Sequence, residues 1–237
     1  MKEKLQIRDS NDPRLVYRLS DRASRISLRV NHGERIVTVT VPGRRALPRA
    51  KAFVREKQDW IHAQLAALPA PQPFVPGAGV LFKGGIYELV CPGSHGRPRS
   101  DEGARQIIVP AHADTFSGRV RRLLIHEARE ALTEATHKYA RLLDKEVGKI
   151  SVRDTHSRWG SCVVRDGRGH ISYSWRLVCA PGFVLDYVCA HESAHMIHNH
   201  HGPEFWQLTE HICPHTAHAR EWLKTNGAAL HAVGSEH

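Results

Sequence analysis

Alternation of apolar and polar positions dominates the first half of the chain, and a helical period dominates the second. Ile26-Ser27-Leu28-Arg29-Val30 and Ile36-Val37-Thr38-Val39-Thr40-Val41 each alternate, so each reads as a half-buried strand. Asn31-His32-Gly33-Glu34 between them is a hairpin signal. From Pro48 to Leu68, Phe53, Val54, Trp60, Ile61, Leu65 and Leu68 recur at helical spacing. Pro69, Pro71, Pro73, Pro76 and Gly77 then form a stiff connector. A second hairpin follows, Val80–Phe82 and Ile86–Val90 around Lys83-Gly84-Gly85. The polar stretch from Pro92 to Gly103 reads as a loop and Ile107–Val109 as a short strand.

Val120, Leu123, Leu124, Ala128, Leu132, Ala135, Tyr139, Leu142 and Leu143 keep a helical period over a long segment. Strands are expected at Ile150–Val152 and His170–Trp175, with Arg158–Gly169 looping between them. A helix begins at Pro181, where proline and the early Asp186 suit a helix start. Asn199 is a candidate left-handed terminator, and Gly202-Pro203 breaks the chain before helices near Glu204–His211 and Ala217–Thr225. The pattern is α+β: a strand-rich N-terminal region with one helix over residues 1–115, then a helical core with a small sheet over 116–237. Neither an internal repeat nor a low-complexity tract occurs.

Composition narrows the class. The 237 residues suffice for one or two domains. A net charge of +10 favours attraction to polyanions, although basic residues occur along the whole chain and no nucleic-acid-binding motif is present. Weak, nonspecific nucleic-acid binding is the corresponding expectation. Five cysteines without a C-x-x-C pair indicate neither a disulfide framework nor a cysteine zinc cluster. Met1-Lys2-Glu3-Lys4-Leu5-Gln6 has no apolar h-region, and no apolar run reaches membrane-spanning length. A cytoplasmic protein with no membrane association is expected.

The chemistry concentrates in His191-Glu192-Ser193-Ala194-His195, an H-E-x-x-H motif, with His201 ten residues after the first histidine. Histidines four apart share one helical face and can close on one metal ion. The glutamate beside the first can take a proton from a metal-bound water. Three protein ligands leave a fourth position open, as in catalytic zinc sites. The 18 histidines make a chance match or an adventitious metal-binding helix a competing reading, but the flanking helix signals raise the motif above it. His198 and His200 compete as third ligand, and so do Glu204, Glu210 and Glu221. Spacing favours His201, although the glycine of the longer H-E-x-x-H-x-x-G-x-x-H pattern is replaced by His198.

Other residues carry weaker signals. Trp159 reads as a packing residue and Arg158 as a candidate anion or carboxylate binder. Cys162 and Cys189 read as small buried residues rather than nucleophiles. The Ile171–Trp175 strand is either an edge for an extended peptide or an interior strand. His211, His215 and His218 read as solvated rather than as a second metal site.

Ser157-Arg158-Trp159-Gly160-Ser161-Cys162, Ile171–Leu177, Ala180-Pro181, Asp186-Tyr187-Val188 and His191 through Phe205-Trp206 together resemble the YgjP-like metallopeptidases, relatives of the WLM and SprT-like zinc proteases. Arg22–Val30, the Phe53–Ile61 helix and the Gly84-Gly85 hairpin share the likeness, which covers residues 15–228. The resemblance implies a zincin-like core and Zn2+ held by His191, His195 and His201. It also implies Glu192 as general base and a peptide or protein substrate. Ser193 stands where an apolar residue is usual, and Ser174 where asparagine is common before Trp175. Because the family includes members credited with UTP pyrophosphohydrolase activity, nucleotide hydrolysis at the same site is the alternative. A basic nucleic-acid-associated protein with a structural zinc is a third reading, and an open coordination position would count against it.

Overall fold

Two separate hydrophobic cores lie on either side of a division between Ala70 and Pro71. The computed structural model describes residues 6–31, 34–155 and 158–235. His32 and Gly33 of the expected first hairpin turn, and Ser157 at the start of the Ser157–Cys162 segment, lie outside them. The division falls well before residue 115, so the Val80–Val90 hairpin belongs to the second unit.

The first unit is a four-stranded sheet with two helices. Its strands are β1 (Gln6–Arg8), β2 (Leu15–Leu19), β3 (Ser27–Asn31) and β4 (Ile36–Val41), in the order β1-β2-β4-β3. β2 and β4 run parallel, and β3 pairs antiparallel with β4, so Leu28 lies opposite Val39 and Val30 opposite Val37. The alternation of β4 works as expected: Val37, Val39 and Val41 are fully buried while the residues between them are half-exposed. Two short helices, α1 (Leu47–Glu56) and α2 (Gln58–Ala66), supply Ala50, Val54, Ile61 and Leu65 to the same core. The single helix expected over Pro48–Leu68 is therefore interrupted, at Lys57, whose backbone leaves the helical region. β1 and β2 were not expected.

The second unit holds two small sheets and four helices. β5 (Gly79–Phe82), β6 (Gly85–Val90), β7 (Arg99–Asp101) and β8 (Gln106–Ile108) form one sheet, in the order β5-β6-β8-β7. β7 thus occupies part of the stretch expected to be a loop. The other sheet has β10 (Gly160–Arg165) and β9 (Glu146–Arg153) on either side of β11 (Arg168–Ser174), antiparallel and parallel to it respectively. This decides one open alternative and corrects one expectation. The Ile171–Trp175 segment is an interior strand ending in a 3-10 turn (Trp175–Cys179), and the expected Arg158–Gly169 loop contains the rim strand β10. The reason is local: Asp166 and Gly167 both take positive φ (50° and 75°) in a two-residue hairpin turn, the conformation that Asp-Gly favours.

The long helix α3 (Phe116–Leu142) lines the second core with Val120, Leu124, Ala128, Leu132 and Tyr139. Each fully buried leucine there is worth roughly 1.5–3 kcal/mol. α3 also fixes the next helix, α4 (Gly182–Ala194). The Tyr139 hydroxyl donates to the Asp186 carboxylate, and the Lys138 ammonium lies 3.2 Å from that same group. Thr136 and Tyr173 share a buried hydroxyl contact of 2.9 Å that ties α3 to β11. Helices α5 (Pro203–Ile212) and α6 (Thr216–Ala232) complete the unit. The proline-rich connector is strapped to its end: Gln72 N–H donates to the Ala232 carbonyl and Gly234 N–H to the Gln72 carbonyl. No described helix is long and apolar enough to cross a membrane.

Candidate metal centre

Helix α4 carries the H-E-x-x-H motif in its last turn. Pro181 precedes it in an extended conformation (φ −54°, ψ 146°) and Gly182 opens it, one residue later than the sequence suggested. Val184, Leu185, Tyr187, Val188, Cys189 and Ala190 are all buried, so the helix is enclosed on most sides. It ends at Ala194, before the expected terminator. Asn199 is not left-handed; Met196 N–H bonds to Ser193 and His198 N–H to Ala194 in tightening turns. That early stop lets the chain double back, so that His201 returns to the two helical histidines.

The side chains of His191, His195 and His201 converge, each offering a ring nitrogen within 4.8 Å of the others. The Nε2 atoms of His191 and His201 are 3.1 Å apart. Ligands at about 2.0–2.1 Å from a tetrahedral zinc ion would be separated by about 3.3 Å, so the triad has the dimensions of a metal cradle. The far side of two rings is already engaged. His195 Nδ1 lies 2.9 Å from the His198 carbonyl, which can only accept, so Nδ1 carries the proton and Nε2 a lone pair. His191 Nδ1 lies 3.3 Å from the Tyr187 hydroxyl. Such partners fix ring orientation in metal sites. Burial, reinforced by the neighbouring imidazoles, pushes the His191 pKa down to about 3. Burial also lowers that of His195, and the neutral form is the ligating one.

An aromatic floor supports the triad. Phe205, fully buried on α5, lies 4.9, 4.6 and 4.8 Å in ring-centroid distance from His191, His195 and His201. Trp206 stacks on His201 at 5.6 Å, and the Arg220 guanidinium from α6 covers Trp206 at 4.1 Å. His198 contributes its backbone carbonyl to the arrangement, and neither His198, His200 nor Glu204, Glu210 or Glu221 joins the cluster.

Glu192 is 5 % exposed, and its Oε2 is buried with no hydrogen-bond partner. Burial pushes its pKa up to about 8, against the opposing pull of the Arg158 guanidinium. An unpartnered buried carboxyl oxygen is costly unless something else satisfies it. A cation beside it and a water between them would do so, and the donor set therefore fits a metal ion. The rim strand comes very close: a Cβ built on Gly160 would lie 2.4–2.7 Å from the Glu192 side chain. Only glycine lets the β10 backbone approach the carboxylate in this way.

The remaining candidates separate cleanly. Trp159 packs on His231 (4.4 Å, 17°) and against Gly227, a structural placement. Cys189 is buried and Cys162 half-buried; burial pushes both thiols up to about 12, which keeps them protonated and unreactive. His218 stacks on Phe183 at 4.4 Å, and His211, His215 and His218 form no second metal cluster among the described residues. Sequence reasoning did not single out Tyr187, Gly160, Phe205 or Arg220 for the site. Gly160, Tyr187 and Phe205 stood within segments that carry the family resemblance, with no place at the site assigned to them, and Arg220 lay outside those segments.

No curated protein and no solved structure matches the chain. A family model described as YgjP-like, metallopeptidase domain, matches residues 24–226, taking in the strand β10, helix α4, the three histidines and Phe205. With a match over most of its length, the chain belongs to the YgjP-like metallopeptidase family.

Proposed function

We propose that the protein is a zinc-dependent hydrolase that cleaves peptide bonds, with a zincin-like core built on the H-E-x-x-H helix. The observation that carries this reading is the convergence of His191, His195 and His201 beside a buried Glu192 whose Oε2 lacks a partner. The three histidines would hold the ion. When bound, zinc supplies Lewis acidity, which polarises a carbonyl and acidifies water. Glu192 accepts a proton from the attacking water and returns it to the leaving amine. The value near 8 belongs to the metal-free pocket; a bound cation beside Glu192 would favour the carboxylate, the form that accepts the proton. Tyr187 and the His198 carbonyl keep the imidazoles oriented.

Strand β10 is the natural place for an extended substrate. It is the rim of its sheet, and Gly160 at its start lies against Glu192. Val163 and Val164 on it are 51 % and 41 % exposed. A peptide adding as a further strand would gain main-chain hydrogen bonds and cover these valines.

Phosphoanhydride hydrolysis of a nucleotide is the second reading, and two arginines favour it. Arg158 and Arg220 are both exposed and act electrostatically on Glu192 and His191 respectively. Neither has an ion-pair partner among the described residues. A structural zinc in a nucleic-acid-associated protein fits less well, because three histidines leave a coordination position open. The test is to load the protein with zinc and supply unstructured peptides and, in parallel, nucleoside triphosphates. Peptide cleavage that stops on chelation and returns with zinc supports the proposal. Turnover of triphosphates alone replaces it with the second reading.

A further inference from the structure

The surplus of positive charge is not shared between the two units. Residues 1–70 contain 15 Lys and Arg against 7 Asp and Glu, a surplus of eight within the net +10 of the whole chain. Within that unit, residues 35–55 carry six basic side chains and no acidic one. This run includes the 3-10 turn Arg44–Ala46 and helix α1 as far as Arg55, and Arg44, Arg45 and Arg49 are all exposed. Beside them is a concavity of about 320 Å³ lined by Ser24, Arg25, Ile26, Pro42, Arg49 and Phe53, with no carboxylate in its wall. Among the described residues, Arg25, Arg44, Arg45 and Arg49 make no ion pair. Lys51 and Arg55, by contrast, border a different concavity that contains Asp9 and Asp12.

We propose that this acid-free ridge, Arg25, Arg44, Arg45 and Arg49 around the Phe53 concavity, is a docking surface for the phosphodiester backbone of a nucleic acid. Four arginines held on a folded scaffold without internal counter-charges repel one another, and a polyanion relieves that repulsion. Guanidinium groups suit phosphate oxygens through paired hydrogen bonds. The sequence carries no groove-reading motif, so the recognition proposed is of the backbone and not of sequence. The proposal concerns the first unit and stands independently of the hydrolase reading.

The experiment is a binding titration of the full chain against a labelled unstructured RNA and a labelled DNA duplex at several salt concentrations. Two variants of equal charge change are compared: Arg44→Gln/Arg45→Gln/Arg49→Gln on the ridge, and Arg97→Gln/Arg99→Gln/Arg141→Gln in the second unit. Loss of three phosphate contacts should weaken binding by about ten-fold or more and reduce the slope of log K against log salt by about 2–3. The control triple should change neither by more than about two-fold, and Arg44→Lys/Arg45→Lys/Arg49→Lys should largely retain binding. Crosslinking of RNA to the unaltered protein should map to residues 24–53, a readout that does not depend on how the variants fold. Equal losses in both triples, crosslinks in the second unit, or binding to anionic lipid vesicles without binding to either nucleic acid would each overturn the proposal.

Discussion

The two units of this protein treat charge in opposite ways. The first has an interior of Tyr17, Val37, Val39, Ile61 and Leu65 and carries its charge outside, with about two basic residues for each acidic one. The second is almost neutral by sequence, with 19 Lys and Arg against 17 Asp and Glu, yet it buries the polar groups. Arg176, Glu192, Ser193 and Thr136 are all inside it. Buried polarity lowers stability unless it is satisfied. Arg176 is satisfied by Asp154 and the Val233 carbonyl, whereas Glu192 Oε2 is not. On the proposed readings, the difference separates a unit that presents a surface from a unit that encloses a reactive group. Changes at the exposed arginines of the first should have little effect on folding, whereas changes around Glu192 should alter the proposed chemistry of the second.

The contrast can be broken most sharply at the triad. His201→Ala should weaken zinc binding by more than about a hundred-fold, while His198→Ala, which keeps its carbonyl, should leave it within a few-fold. Equilibrium dialysis against zinc measures both, and loss of metal in His198→Ala alone would refute the ligand assignment. Ile61→Ala, in the first core, should cost that unit about 2–5 kcal/mol and leave zinc content at one equivalent. A parallel loss of zinc would show that the units are not independent.

The pH dependence of the metal-free protein sharpens the comparison further. Glu192 holds its proton in the folded state up to about pH 8, but the unfolded chain releases it near 4.5. Between these values the folded state binds more protons, so the stability contributed by the buried neutral carboxyl is present below pH 4.5 and is lost as pH rises towards 8. The slope is at most about 1.4 kcal/mol per pH unit. Urea unfolding of chelated protein should show it, and Glu192→Gln should flatten it. An unchanged slope in that variant would place the titrating group elsewhere. The smallest effect expected is for Tyr187→Phe, which removes the hydroxyl beside His191 Nδ1: a loss of about ten-fold in zinc affinity, with folding unchanged.

The motif residues were legible because helical spacing alone puts His191 and His195 on one face. What could not be read was how the third histidine returns. That depends on α4 stopping at Ala194 and on His195 bonding to the His198 carbonyl, a contact no residue identity announces. Gly160 stood in a segment that carries the family resemblance, but its place against Glu192 was not readable, since its role is to leave out a side chain where Glu192 needs room. β10 is a different case: Asp166-Gly167 is a hairpin signal in plain view, obscured by the polar residues around it. β2 escaped because Leu15, Val16 and Tyr17 are all buried, which erases the alternation on which strand reading depends.

The central claim is that the second unit encloses Glu192 in order to use it as a base. The direct measurement is the peptidase rate of zinc-loaded Glu192→Gln beside that of the parent, with zinc content determined on the same samples. An amide cannot take the proton but fills the same space. The rate should fall by about a hundred-fold to ten-thousand-fold with zinc still at one equivalent. A parent-like rate in the fully zinc-loaded variant would contradict the account.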